Sequence, residues 1–313
     1  MIYTDNFESG ATGWSSNITD SAASPVTTFL GRFDNSPSET SRTFALPAGT
    51  GRVELAFDFY RFDSWDNNTQ WGFDRWQVEV DGVQLFSLPF STNQAARSGT
   101  TGDVDWSITP LAPASDLGFN SGQPWYRDQR HRVVLDVETS AASLDLLLRT
   151  ALNQGGSDES GGYDNFTVTA FPALPVIAAA KTAEVVGGGH HLPGSEVDYT
   201  ISLSNAGGPP DAGSVTVVDS LPDDVELFTG DLDGSGEPVV FSDDASTPSG
   251  WNCCSGATVE FSDTTSGAPV FGYVPVASYD PAIRHLRITP AGTPRDARPD
   301  TVDVSFRFRA RIP

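Results

Sequence analysis

The sequence is short of basic residues along its whole length. Against 41 Asp and Glu there are 18 Lys and Arg, giving a formal net charge of −23. Residues 1–173 carry 10 basic and 22 acidic side chains, and residues 174–313 carry 8 and 19. No basic stripe is present, which argues against nucleic-acid binding through phosphate neutralisation. An acidic surface keeps a protein soluble and can attract divalent cations. Cysteine is scarce too: Cys253 and Cys254 are adjacent and alone. Two thiols cannot supply a zinc site by themselves, and these are not spaced as C-x-x-C. A bond between neighbours needs a strained eight-membered ring, so free thiols or a bond to another chain are expected. Long apolar runs are missing: no stretch approaches the ~18 residues that span a bilayer, so no membrane insertion is expected of this segment. Met1-Ile-Tyr-Thr-Asp5 has neither the basic nor the apolar region of a signal peptide. Export as part of a longer chain, with further domains, is the expectation.

Helix-periodic stretches free of Gly and Pro are also absent. What the chain has instead is 30 Gly and 22 Pro within 313 residues, 38% of them apolar. That is the profile of strands joined by many turns, in a length sufficient for two domains with separate cores. A first domain is expected over residues 1–173. Val53, Leu55, Phe57 and Phe59 alternate with other residues, as do Trp76, Val78 and Val80. Asp81-Gly82 then signals a hairpin before Val83–Phe86. Further alternation marks Val133–Val137, Leu144–Leu148 and Phe166–Val168. The polar stretch Ser91–Asp128 reads as one long loop, of the kind usually functional or mobile. Pro172-Ala-Leu-Pro175 reads as a semi-rigid linker. The second domain, 174–313, shows Val197, Tyr199, Ile201 and Leu203 in alternation, a Gly/Pro turn over 206–213, a strand from Val215 to Val218, and a closing strand over Val302–Ile312.

The residues P-G-S-E-V-D-Y-T-I-S-L-S-N-A-G-G, from Pro193, and V-T-V-V-D-S-L-P, from Val215, resemble the conserved-repeat family of bacterial surface proteins. That resemblance implies an Ig-like domain at the cell exterior, without an assigned molecular function. Its members often carry W-x-C where Trp251-Asn-Cys253 stands, with a partner cysteine on the next strand. Here that strand reads Val259-Glu-Phe261, which puts the implied disulfide in doubt. The first domain opens with Asp5-Asn-Phe-Glu8-Ser-Gly10 and closes with Gly161-Gly-Tyr-Asp164-Asn-Phe. These ends resemble bacterial jelly-roll modules related to carbohydrate-binding modules, whose first and last strands lie side by side and often hold a structural calcium ion. The resemblance implies Glu8 and Asp164 as calcium ligands, with Asp5 next.

The residues point to calcium on their own account as well. Ca²⁺ takes 6–8 oxygen ligands, which suits turns rich in Asp and Asn. Asp63, Asp66 and Asn67, with Asp74 beyond, form a second oxygen-rich turn, although no EF-hand spacing occurs. Such residues also favour turns by bonding to their own backbone. Softer ligands are scarce, and His190-His191 after three glycines read as a loop. Among the aromatics, Trp76 is in phase with a core strand. Trp65, Trp71, Trp125 and Tyr126 flank polar turns and could line a platform for a glycan or other cell-surface ligand; equally, they could pin loops onto the sandwich.

No motif selects a catalytic set. There is no G-x-S-x-G elbow before a helix, and Gly187–Gly189 lacks the Lys-Ser/Thr of a phosphate loop. His131, in a basic cluster before a strand, reads as a surface or loop residue. The expectation is an all-β chain of two β-sandwiches in series, jelly-roll-like and then Ig-like, without enzymatic activity. It would form the recognition or adhesion head and the stalk unit of a secreted or cell-surface bacterial protein. The alternatives are a carbohydrate-binding region of a polysaccharide-degrading enzyme, or a surface-layer or filament subunit.

Overall fold

The computed structural model describes residues 1–22, 26–68, 70–90, 93–119, 126–243, 247–253, 258–298 and 300–313. Trp125 and Cys254 lie outside the described residues. The chain divides into two units, Met1–Pro172 and Ala173–Pro313. The fold is all-β with antiparallel sheets, and among the described residues no helix is long and apolar enough to cross a membrane.

The first unit begins with β1 (Tyr3–Asp5), β2 (Thr19–Ser21), β3 (Thr28–Phe33), β4 (Glu39–Ala45) and β5 (Thr50–Asp63). A short hairpin, β6 (Asn67–Asn68) and β7 (Gly72–Phe73), leads to β8 (Arg75–Val80) and β9 (Val83–Pro89). β10 (Arg97–Thr101), β11 (Val104–Pro110), β12 (Gln129–Glu138), β13 (Ser143–Ala151) and β14 (Glu159–Pro172) complete it. The larger sheet runs β10-β11-β12-β5-β14-β3-β2, with β1 beside β14; the smaller runs β4-β13-β8-β9.

Alternation in sequence becomes a shared core. Val53, Leu55, Phe57 and Phe59 of β5 join Val133, Leu135 and Val137 of β12 from one sheet. Trp76, Val78 and Val80 of β8 and Leu144, Leu146 and Leu148 of β13 come from the other. Each such side chain, fully buried, contributes about 1.5–3 kcal/mol. Trp76 stacks on Phe59 at 4.1 Å between centroids and donates Nε1–H to the Tyr163 hydroxyl at 3.0 Å. A buried tryptophan needs such a partner.

Two features depart from the sequence reading. Residues Ala56–Asp63 of β5 are buried on both faces, because Tyr60 and Phe62 pack outward on Val26 and Phe29 beneath Leu117 and Phe119. The stretch expected as one loop, 91–128, in fact supplies β10 and β11. Their polar residues pair across the sheet edge, with Thr100 Oγ1 donating to Asp105 at 2.5 Å. An edge strand with this composition has no apolar period to betray it.

The second unit contains β15 (Ile177–Val185), β16 (Glu196–Asn205), β17 (Val217–Ser220), β18 (Glu226–Phe228) and β19 (Val239–Asp243). After them come β20 (Trp251–Asn252), β21 (Thr258–Ser262), β22 (Tyr279–Asp280), β23 (His285–Thr289), β24 (Ala291–Gly292) and β25 (Val302–Arg311). One sheet runs β15-β16-β25-β18-β22, with β19 also on β25; another runs β17-β23-β21. Ile201, Leu203, Val304, Phe306 and Phe308 of the first sheet share a core with Val217, Leu286 and Ile288 of the second.

The N-A-G-G turn after β16 is tied by one side chain. Asn205 is buried, and its Oδ1 accepts from the Val176 and Gly207 N–H groups, both at 3.0 Å. Its Nδ2 donates to the Gly208 carbonyl at 2.9 Å. A Cβ on Gly207 would sit 2.3 Å from the Leu174 carbonyl oxygen, so only glycine fits this crossing. Asn205→Ala strands buried backbone groups and is expected to destabilise the second unit by about 3 kcal/mol. Urea unfolding of the full chain measures this. An unchanged midpoint would mean that water replaces the carboxamide.

Candidate functional site

β5 ends at Asp63 in the left-handed region (φ 64°), a conformation that Asp tolerates. The chain then tucks Trp65 inward. It is buried, lies edge-on to Phe59 and Phe90, and donates Nε1–H to the Ser160 carbonyl at 2.9 Å. Beyond it the β6–β7 hairpin stands out from the sandwich. Asn68 Oδ1 accepts from the Gln70 and Trp71 N–H groups at 2.9 Å, and Asn153 Nδ2 donates to the Trp71 carbonyl at 2.8 Å. At the base, the Asp74 N–H donates to the Asp66 carbonyl at 2.8 Å, while the Asp66 N–H donates to the Asp74 carboxylate. Trp71 is 60% exposed and Phe73 47%. They are the exposed aromatic side chains among the described residues.

Beneath this hairpin three carboxylates converge. Asp66, Asp74 and Glu159 each place an oxygen within 4.8 Å of the others. Asp66 is half-buried, whereas Asp74 and Glu159 are buried. Glu159 opens β14, whose register sets it opposite Asp63. Burial first, then the hydrogen bond and charge of Asp74, push Glu159 up to about 9. Burial also raises Asp74, and burial together with the Asp74 charge raises Asp66. Asp74 Oδ1 and Glu159 Oε2 have no hydrogen-bond donor.

The neighbouring acids have charged or hydroxyl partners, although buried Asp63 also keeps one oxygen, Oδ1, without a donor. Asp63 lies 3.2 Å from an Arg32 nitrogen, and its N–H donates to Asp128 at 2.9 Å. Burial, then the Asp128 charge, push Asp63 up to about 7. Arg61, fully buried, donates to the Asp63 carbonyl at 2.6 Å. Asp158 accepts from the Ser64 hydroxyl at 2.7 Å. Its carboxylate also bonds to Tyr126, whose phenol pKa it raises.

The structure sorts the residues singled out from sequence. β1 and β14 do lie side by side, yet Asp5, Glu8 and Asp164 form no three-carboxylate group of metal-ligand size among the described residues. Asp5 accepts from the Tyr3 hydroxyl and the Phe7 N–H. Glu8 is exposed and accepts from the Thr28 N–H at 3.1 Å. Asp164 accepts from the Tyr60 hydroxyl at 3.2 Å and from Asn165. Asp66 does enter an acidic cluster, but with Asp74 and Glu159 rather than with Asp63. Of the aromatic platform, Trp71 stands exposed, Tyr126 is half-buried, and Trp65 belongs to the core, where its ring offers no face to a ligand. Glu159 could have been flagged only as a carboxylate beginning an apolar strand pattern. Its meeting with Asp74 depends on sheet register. His131, expected at the surface, is fully buried on β12 against Phe59 and Phe90.

No family model and no curated protein matches the chain. Among solved structures, the mavirus major capsid protein is similar over 95% of this chain and 87% of its own, at 8% identity and a TM-score of 0.15. A likeness that slight bears on neither fold nor function.

Burial first, then the charge of Arg61 with a smaller part from Arg97, push His131 down to about 3. The unfolded chain takes up that proton near pH 6.5. The contribution of this group to stability is therefore complete above pH 6.5 and is lost as the pH falls towards 3. Relative to His131→Phe, the parent is expected to lose about 1.4 kcal/mol more per pH unit in that window. Urea midpoints at a series of pH values test this; parallel slopes would place a proton on the folded imidazole.

Proposed function

We propose that the chain is a non-catalytic recognition segment of an exported protein. In this reading the β6–β7 hairpin of the first sandwich is its contact surface, and the second sandwich is an Ig-like spacer of the conserved-repeat kind. One observation carries the proposal: of all the described aromatic residues, the two exposed ones, Trp71 and Phe73, stand together on a hairpin whose tip and base are both hydrogen-bonded in place. Exposed aromatic faces on an ordered loop gain little by facing water, and they supply large contact area at low entropic cost. Exposed Asn67, Asn68, Gln70 and Asn153 surround them with amide donors and acceptors. Flat apolar faces beside amides suit a glycan, which offers C–H faces and hydroxyls together. Of the adjacent acids, Asp74 and Glu159 are buried and only Asp66 is partly exposed, so no pair of carboxylates faces a substrate, which supports recognition over chemistry.

The test is retention of the full chain on a glycan array and on insoluble polysaccharides. Trp71→Ala and Phe73→Ala are each expected to weaken binding at least about ten-fold while changing stability by no more than about 0.5 kcal/mol. Bound glycan should also blue-shift the emission of the exposed Trp71. Binding undiminished in both variants, or none to any glycan, would overturn the assignment.

A further inference from the structure

The geometry points to a buried divalent-cation site, of the calcium class, formed by Asp66, Asp74 and Glu159 and joining the base of the β6–β7 hairpin to the start of β14. This site stands whether or not the hairpin binds a glycan.

Proximity of three acids is only the first observation. The second is the state of their oxygens. Asp74 is 1% exposed and Glu159 0%, and each keeps one oxygen without any donor: Asp74 Oδ1 and Glu159 Oε2. Buried polar atoms without partners are rare, and those on charged groups are the most costly. Backbone N–H groups of Asn153 and Gln154 act on Asp74 and Glu159, but the side-chain donors in this part of the first unit are spent elsewhere. Arg32 faces Asp63 and Ser160, Arg61 faces backbone carbonyls, and Ser64 serves Asp158. Gln154, with its amide turned, reaches Glu159 Oε1 at 3.2 Å and leaves Oε2 unserved.

A proton shared between Glu159 and Asp74 relieves one repulsion. It still leaves Asp66 against the pair. A cation satisfies all three carboxylates at once and cancels their repulsion. The donor set is oxygen only, which selects a hard cation over zinc or copper. The burial of Asp74 and Glu159 selects further: an ion bound there sheds much of its water, which Mg²⁺ does reluctantly and Ca²⁺ readily. Half-exposed Asp66 marks the side from which the ion enters and where remaining water ligands attach.

The experiment uses the full chain, stripped with EDTA and titrated with CaCl₂, MgCl₂ and Tb³⁺. Calcium is expected to bind with a Kd on the order of 10⁻⁴ M and, at millimolar concentration, to raise the first melting transition by about 3 °C. Tb³⁺ should luminesce on tryptophan excitation, since Trp65 adjoins Asp66 and bonds to Ser160, and Ca²⁺ should quench that signal by displacement. Glu159→Gln and Asp74→Asn should abolish both responses, and Asp164→Asn should keep them. Asp66→Asn, at the half-exposed corner, disturbs packing least and should weaken binding at least ten-fold, so the proposal remains testable if a buried variant fails to fold. If the parent answers to neither Ca²⁺ nor Tb³⁺, or if the response survives in Glu159→Gln or Asp66→Asn, the carboxylates are instead a proton-sharing cluster and the assignment falls.

Discussion

The first sandwich hangs on the antiparallel run of β5 against β14, each of 14 residues, with β12 on the other flank of β5. This pairing aligns Phe57 and Phe59 over the core, stacking Phe59 on Trp76 and Phe57 on Phe166. It also carries three ionisable residues, Asp58, Arg61 and Asp63, into the interior along with the aromatics. Burial of that kind is costly unless each charge is paired, and the surroundings of β5 largely answer the requirement. Asp58 meets Arg130 at 2.5 Å and Arg132 at 3.4 Å, Asp63 meets Arg32, and Arg61 finds backbone carbonyls.

The same register creates the exception. By placing Glu159 opposite Asp63, it delivers a further carboxylate to the place where the hairpin base already holds Asp66 and Asp74. The result is a short-range conflict that apolar packing enforces: Trp65 and Ser160, fixed to each other, hold the two backbones together. Unpaired buried atoms also occur at Asp63 Oδ1 and Arg61 Nε, but only Asp66, Asp74 and Glu159 bring three carboxylates to within ligand distance of one another among the described residues. The hairpin above it adds the complementary feature. Asn68, Asn153, Asp66 and Asp74 hold its backbone at several described points, and the aromatic side chains of Trp71 and Phe73 face outward.

The second sandwich is built by other means. Its sheets bear partly buried ion pairs, with Arg309 bidentate to Asp198 at 2.7 and 3.0 Å and Lys181 on Asp219 at 2.7 Å. Pairs of this kind help to fix strand register. No buried acidic triad occurs among its described residues, and the polar group at its heart, Asn205, is fully bonded. The second unit also buries Asp219 and Asp280, but each has partners, Lys181 for Asp219 and Tyr273, Val276 and Ala282 for Asp280, whereas the first unit keeps unpaired oxygens near an exposed aromatic loop.

How much of this the sequence determined follows from the range over which each signal acts. Period-two alternation is local, so the strands around Phe57, Val78, Leu135 and Leu146, and the core they share, were legible residue by residue. So were the Asp/Asn turn from Asp63 to Asp74 and the turn after Asn205, because turn chemistry is written in adjacent residues. Burial on the second face of β5 was not legible, since it depends on Phe119 arriving from a segment with no period of its own. For the same reason His131 and Trp65 looked like surface residues: polarity and flanking sequence do not say what will be laid on top. The site itself lay furthest out of reach. Asp66 and Asp74 share a hairpin, but Glu159 reaches them only through the register of β5 with β14, and register is settled by the packing of whole faces rather than by any residue near the acids. The sequence alone determined the core strands, whose apolar period is local, whereas tertiary structure decided the polar edge strands β10 and β11 and which carboxylates would be forced together.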